Sequence, residues 1–249
     1  MKKTLFLLTT IILILGCSKN EVSNNPANPS AFHSRPVGAS ANELLSGNTY
    51  KSLKVEVQYM TGFEPDAFAI NHLQSFLAGY VNKPNGVIVV TKEIPANANT
   101  TLTVEDIINI EKVNRSAFST ANEMAIYILF TNGVYNENNV LGVAYRNTSS
   151  ALFGKKIKDN SGGIGQTSRA KLEATVLEHE VAHLLGLVDA GTAMQTSHKD
   201  AIHGSHCNNE NCLMYYTSET TEILGFLLTG NIPSLDANCI NDLRGNGGK

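Results

Sequence analysis

Residues 179–183 read His179-Glu180-Val181-Ala182-His183, inside a run from Ser168 to Leu185 that has the periodicity of an amphipathic helix. On a helix, positions i and i+4 stack on one face, so both imidazoles can converge on one ion without backbone strain. Glu180 lies about 100° around the axis from His179, close enough to reach a water held by that ion without ligating it. Leu177, Val181, Leu184 and Leu185 supply a separate apolar face for packing. With 7 His in 249 residues, chance gives this pattern only about 0.01 times per chain. The spacing therefore predicts a zinc site with His179 and His183 as ligands and Glu180 as general base. Zinc brings the pKa of a bound water toward about 7 and polarises a scissile carbonyl, while the glutamate takes the proton and passes it to the leaving amine.

The rest of the chain reads as an α/β domain. Leu53, Val55 and Val57 alternate with Lys54, Glu56 and Gln58, the period of a half-buried strand reaching about Thr61. A helix follows from about Asp66 to Pro84-Asn85-Gly86, and the β-branched run Val87 to Val90 predicts a strand buried on both faces. Thr103 and Asp106 have capping-box spacing, opening a helix that Ile107, Ile110, Val113, Ala117 and Phe118 continue. Strands are expected at Met124 to Phe130, Val140 to Tyr145 and Ala151 to Ile157, and a C-terminal helix near Ser234. This order predicts one mixed sheet packed on the His-bearing helix, with a small C-terminal subdomain.

The N-terminus reads as an address. Positive charge at Lys2 and Lys3, an apolar stretch from Leu5 to Leu15, and Gly16 before Cys17 form a secretory signal too short to span a bilayer. Ile14-Leu15-Gly16-Cys17 resembles the bacterial lipobox, which implies removal of residues 1–16, lipid on Cys17 and a place on the bacterial cell envelope. Residues 17–48, rich in Ser, Asn, Pro, Ala and Gly, are expected to be the lipidated Cys and a flexible tether, leaving 49–244 as the folded domain. The net charge of −3 and the absence of a basic block exclude a nucleic-acid partner, leaving a protein or peptide substrate and the membrane.

Past the second histidine the run becomes His-Leu-Leu-Gly, with Gly186 ending the helix, and here the chain resembles the metzincin metallopeptidases. The resemblance implies a zinc-dependent endopeptidase with one catalytic zinc and a third ligand soon after the glycine. Two positions compete. Asp189 occupies the short-spaced position, whereas His206 opens His206-Cys207-Asn208-Asn209-Glu210-Asn211-Cys212-Leu213-Met214-Tyr215-Tyr216, which resembles the third-ligand segment of archaemetzincins. About 19 residues then separate Gly186 from the histidine, an insertion whose entropic cost is only about 0.6 kcal/mol per doubling of loop length. His198 and His203 lie within that insertion as further candidates. By the same resemblance Met214 is the Met-turn residue and Tyr216 an oxyanion candidate. Archaemetzincins hold a second zinc through four cysteines in this region. Beyond Cys17 this chain has three, Cys207, Cys212 and Cys239, so a disulfide between two of them is the alternative. Two other readings remain: a non-catalytic zinc-binding lipoprotein, and a gluzincin-type peptidase with Glu219 or Glu222 as third ligand.

Overall fold

The computed structural model describes residues 29–249; the expected signal peptide, Cys17 and the first part of the expected tether lie outside them. Two short helices, α1 (Pro29–Phe32) and α2 (Ala41–Leu45), precede the sheet. The tether expectation fails for this stretch. Leu44 and Leu45 are fully buried, Phe32 packs in the same core, and His33 Nδ1 shares a hydrogen bond with Thr148 Oγ1 at 2.6 Å. The folded body therefore begins near residue 30 rather than 49, because a few large apolar side chains suffice to dock a segment of otherwise small polar residues.

The main chain then runs β1 (Ser52–Met60), α3 (Ala67–Tyr80), β2 (Val87–Ile94), β3 (Thr101–Leu102), α4 (Val104–Asn114), β4 (Glu123–Thr131), β5 (Val134–Tyr135), β6 (Gly142–Arg146), β7 (Ser149–Phe153), α5 (Gly154–Asp159) and α6 (Arg169–Leu184). Two short 3₁₀ turns, α7 (Leu224–Thr229) and α8 (Ala237–Gly245) close it. Five strands form one sheet in the order β2-β1-β4-β7-β6, parallel except for the antiparallel edge strand β6. The remaining two, β3 and β5, pair separately. Helices α3 and α6 cover one face, where Val55, Val57, Ile126 and Ile128 meet Leu73, Leu77, Val176 and Leu177. On the other face Met60, Tyr127 and Leu129 pack with Ile107 of α4.

Three local expectations change for identifiable reasons. In β1, Glu56 and Gln58 are buried, not solvent-facing. The chain leaving α4 covers them: Ser116 and Ala117 N–H groups donate to Glu56 at 3.0 and 2.7 Å, and Gln58 donates to the Asn114 carbonyl at 2.7 Å. That requirement also ends α4 at Asn114, before Ala117 and Phe118. Strand β2 lies at the sheet's edge with Ile88 exposed, so its β-branched run is half-buried at most. Finally, the strand expected to reach Ile157 stops at Phe153, where α5 begins. The Thr103–Asp106 capping box forms as expected. Among the described residues no helix is long and apolar enough to cross a membrane.

Candidate metal centre

Helix α6 starts at Ser168, whose hydroxyl caps the Lys171 N–H, and is buried along nearly its whole length. Its end fixes the first half of the site. Gly186 takes φ +86°, its N–H donates to the His183 carbonyl at 2.9 Å, and Leu187 N–H donates to Ala182 at 3.1 Å. This pair of bonds is a Schellman turn, which needs a residue without a Cβ penalty at the left-handed position. A Cβ there would also lie 2.6 Å from the Thr192 nitrogen. The turn swings the Leu187 carbonyl back to accept from His183 Nδ1 at 3.0 Å.

The other two imidazoles are held in the same way. His179 Nδ1 donates to the Leu213 carbonyl at 2.8 Å, and His206 Nδ1 to the His203 carbonyl at 2.6 Å. With each Nδ1 engaged as a donor, each Nε2 is left with a free lone pair, the form that ligates a metal. The Nε2 atoms of His179 and His183 approach to 3.1 Å, and the His179 and His206 rings stack at 5.2 Å. Burial, reinforced by His179, lowers the His183 pKa to about 3 and keeps it neutral. Burial would lower His206 too, but the Glu219 carboxylate outweighs it.

The Glu219 carboxylate joins these three rings, so that one ligand atom from each of the four residues lies within 4.8 Å of the others. Burial would raise its pKa, but His179 and His206 hold it well below the carboxylate range. Glu180 is fully buried, and neither of its oxygens has a hydrogen-bond partner. Burial and the nearby Glu219 charge raise its pKa well above the usual value. Converging lone pairs, an unpartnered His206 Nε2 and an unpartnered buried carboxylate are costly unless an ion and its water satisfy them, so the donors fit zinc.

Asp189 is not brought to this centre: it is exposed, takes φ +57° and pairs with Lys199 at 3.4 Å. His203 contributes its carbonyl while its ring stacks on Tyr216 at 3.7 Å. The Tyr216 hydroxyl donates to Glu222 at 3.0 Å, which commits both to each other. Met214 is fully buried and follows Leu213, the residue that holds His179.

A second donor group lies behind the first. All three cysteines are free and buried, so the disulfide alternative does not form. Cys212 and Cys239 Sγ atoms are 3.6 Å apart, Cys207 Sγ lies 3.4 Å from His198 Nδ1, and Cys239 Sγ lies 4.0 Å from the same nitrogen. The ligand atoms of His198, Cys207, Cys239 and Asp236 all lie within 4.8 Å of one another, a donor set that fits a zinc ion, with Cys212 alongside. His198 Nε2 is fixed by Asp242 at 2.7 Å, as a ligating histidine's second nitrogen commonly is. Thiol donors from Cys207 and Cys239 pull the Cys212 pKa down to about 4. Neither His198 here nor Glu219 as a fourth donor was singled out for these places by spacing. From sequence both are expected only as alternative third ligands, Glu219 in a gluzincin-type site and His198 in place of His206.

Fold and donors together define a class: an α/β domain whose mostly parallel sheet lies on a helix carrying a His-Glu-x-x-His pair. Among solved structures the fold is similar to that of archaemetzincin from Methanopyrus kandleri, with TM-score 0.54 and 14% identity over 79% of this chain and 96% of that chain. No family model and no curated protein matches the chain. The metzincin-like mixed sheet expected from sequence is therefore the observed fold.

Proposed function

We propose that this chain is a zinc-dependent metalloendopeptidase that hydrolyses peptide bonds of proteins or peptides at the bacterial cell envelope, anchored through lipid on Cys17. The observation that carries this reading is the convergence of three imidazoles, each oriented by a backbone carbonyl, beside a buried carboxylate with no other partner. Zinc bound by His179, His183 and His206 would supply Lewis acidity, acidifying a water and polarising a carbonyl. The chain's own part is to fix the imidazoles through three backbone carbonyls and to bury Glu180 beside them, where burial and the Glu219 charge raise its hold on a proton. In that role Glu180 accepts a proton from water and returns it to the departing amine. The likeness to an archaemetzincin supports this reading through the fold.

The cluster of His198, Cys207, Cys239 and Asp236 supports a second, structural zinc. A non-catalytic zinc-binding lipoprotein is the competing reading, favoured by the Glu219 carboxylate lying where a catalytic site is open. The deciding experiment measures zinc content of the full chain and hydrolysis of a peptide library. The expected result is two zinc ions in wild type, one lost with His179→Ala or His206→Ala and none with Asp189→Ala, and cleavage that Glu180→Gln abolishes with zinc retained. Wild-type cleavage no greater than that of Glu180→Gln would sink the peptidase reading, and zinc lost with Asp189→Ala would sink the ligand assignment.

A further inference from the structure

Four ligand atoms converge on the centre, and the fourth is placed unlike the other three. Glu219 Oε2 lies 3.6 Å from His179 Nε2 and 3.9 Å from His183 Nε2, and its Oε1 lies 3.5 Å from His206 Nε2. An ion about 2.0–2.1 Å from each donor has tetrahedral edges of about 3.3–3.4 Å, so the carboxylate stands at the fourth vertex. A catalytic zinc leaves that vertex to water or substrate, whereas a structural zinc closes it with protein. The histidine side chains are at most 10% exposed, but Glu219 is 26% exposed, which makes it the most solvent-accessible of the four donors.

Its backbone explains how it reaches the site. Leu141 N–H donates to the Glu219 carbonyl at 2.7 Å, Thr221 N–H donates to Asn139 at 2.9 Å, and Thr220 bridges Val140 in antiparallel sense. Residues 219–221, the link between two 3₁₀ turns, are thus pinned to 139–141 by one isolated antiparallel bridge, just ahead of β6, which has no further strand beside it in the sheet. With the backbone pinned, rotation of the side chain alone is enough to remove the carboxylate from the vertex. A carboxylate is also the group that peptide hydrolysis leaves on one product, so Glu219 offers the centre a product-like ligand from within the chain.

We propose that Glu219 is a fourth, displaceable metal ligand that closes the centre at rest and must swing out before water and substrate can enter. This inference rests on the zinc-peptidase reading above. The test uses full-length wild type, Glu219→Gln and Glu219→Ala, loaded with zinc for competition titration and with Co²⁺ for azide titration followed in the visible spectrum. Losing a carboxylate ligand is expected to weaken zinc binding at the His centre at least tenfold while leaving it saturable. Opening the vertex is expected to tighten azide binding at least tenfold over wild type. The isosteric Gln variant guards against a folding defect, checked by its thermal transition. Zinc and azide affinities equal in all three proteins would overturn the proposal while leaving a zinc centre in place. A wild type that takes up no metal at the His centre, or a His179→Ala variant that binds it undiminished, would overturn the underlying reading and this proposal with it.

Discussion

Gly142 opens the edge strand β6 directly over Glu180. An ideal Cβ at this position would lie 2.6 Å from Glu180 Oε1, 2.8 Å from Glu180 Cγ and 2.7 Å from Val176 Cγ1. Ordinary contact begins at 3.4 Å, so Gly142→Ala must push the carboxylate by about 0.8 Å or move the strand. A displacement near 1 Å at a reacting group costs about 10²-fold in rate, or about 2.7 kcal/mol of barrier. Overpacking adds a stability cost of about 1–3 kcal/mol. None of the atoms nearest the added Cβ belongs to a histidine, so zinc should stay bound. The assay compares kcat/KM on a peptide that wild type cleaves, zinc per chain, and Tm, for Gly142→Ala and for Gly225→Ala, whose Cβ would meet open space. The expected pattern is a drop of about 10²-fold at position 142 with zinc retained, and no change at 225. Full zinc with activity within threefold of wild type would refute the placement of Glu180 as the proton carrier.

Other substitutions probe the surroundings of the site. Gly186→Ala forces a side chain into φ +86° and against the Thr192 nitrogen, and shifts the carbonyl that holds His183; zinc affinity by competition should fall along with Tm. Cys239→Ser or His198→Ala should remove one of two zinc ions, leave the other, and lower Tm by at least about 5 °C. Burial raises the Glu173 pKa to about 7 although its oxygens meet Asp66 N–H and Arg169. Between its unfolded value and about 7 the folded chain holds a proton the unfolded chain has lost, so stability falls as pH rises through that window and levels off above it. The slope amounts to about 3 kcal/mol at most, and Glu173→Gln should remove it in denaturant titrations at pH 5 and pH 8; an unaltered slope would show that Glu173 stays ionised.

Much of this was legible because it is local. The Thr103–Asp106 capping box, the i, i+4 histidine pair and the Gly186 stop each depend on neighbours within one turn, and each forms as the spacing requires. What spacing could not reveal depends on contacts across the fold. Glu56 and Gln58 alternate like surface residues, yet they become buried acceptors and donors because the end of α4 folds over them. Val87 to Val90 has the composition of an inner strand and ends at an edge because nothing later in the chain adds to that side. Leu44 and Leu45 are two apolar residues in a polar stretch, too few for a period, but complete burial makes them an anchor.

The insertion between Gly186 and His206 is where local and distant logic meet. Loop entropy alone would make it an inert spacer, tolerated at small cost. Instead its backbone is tied into both centres: Val188 N–H donates to Ser205, Asp200 N–H to His206, and Asn208 N–H to His198. It delivers the carbonyl that orients His206 and the imidazole that stands beside the Cys207 and Cys239 thiols. Deleting the part of the loop that carries His198 should therefore cost the cysteine cluster its metal, whereas His198→Cys should keep it; a cluster that holds zinc equally well without residue 198 would return the loop to the role of an inert spacer.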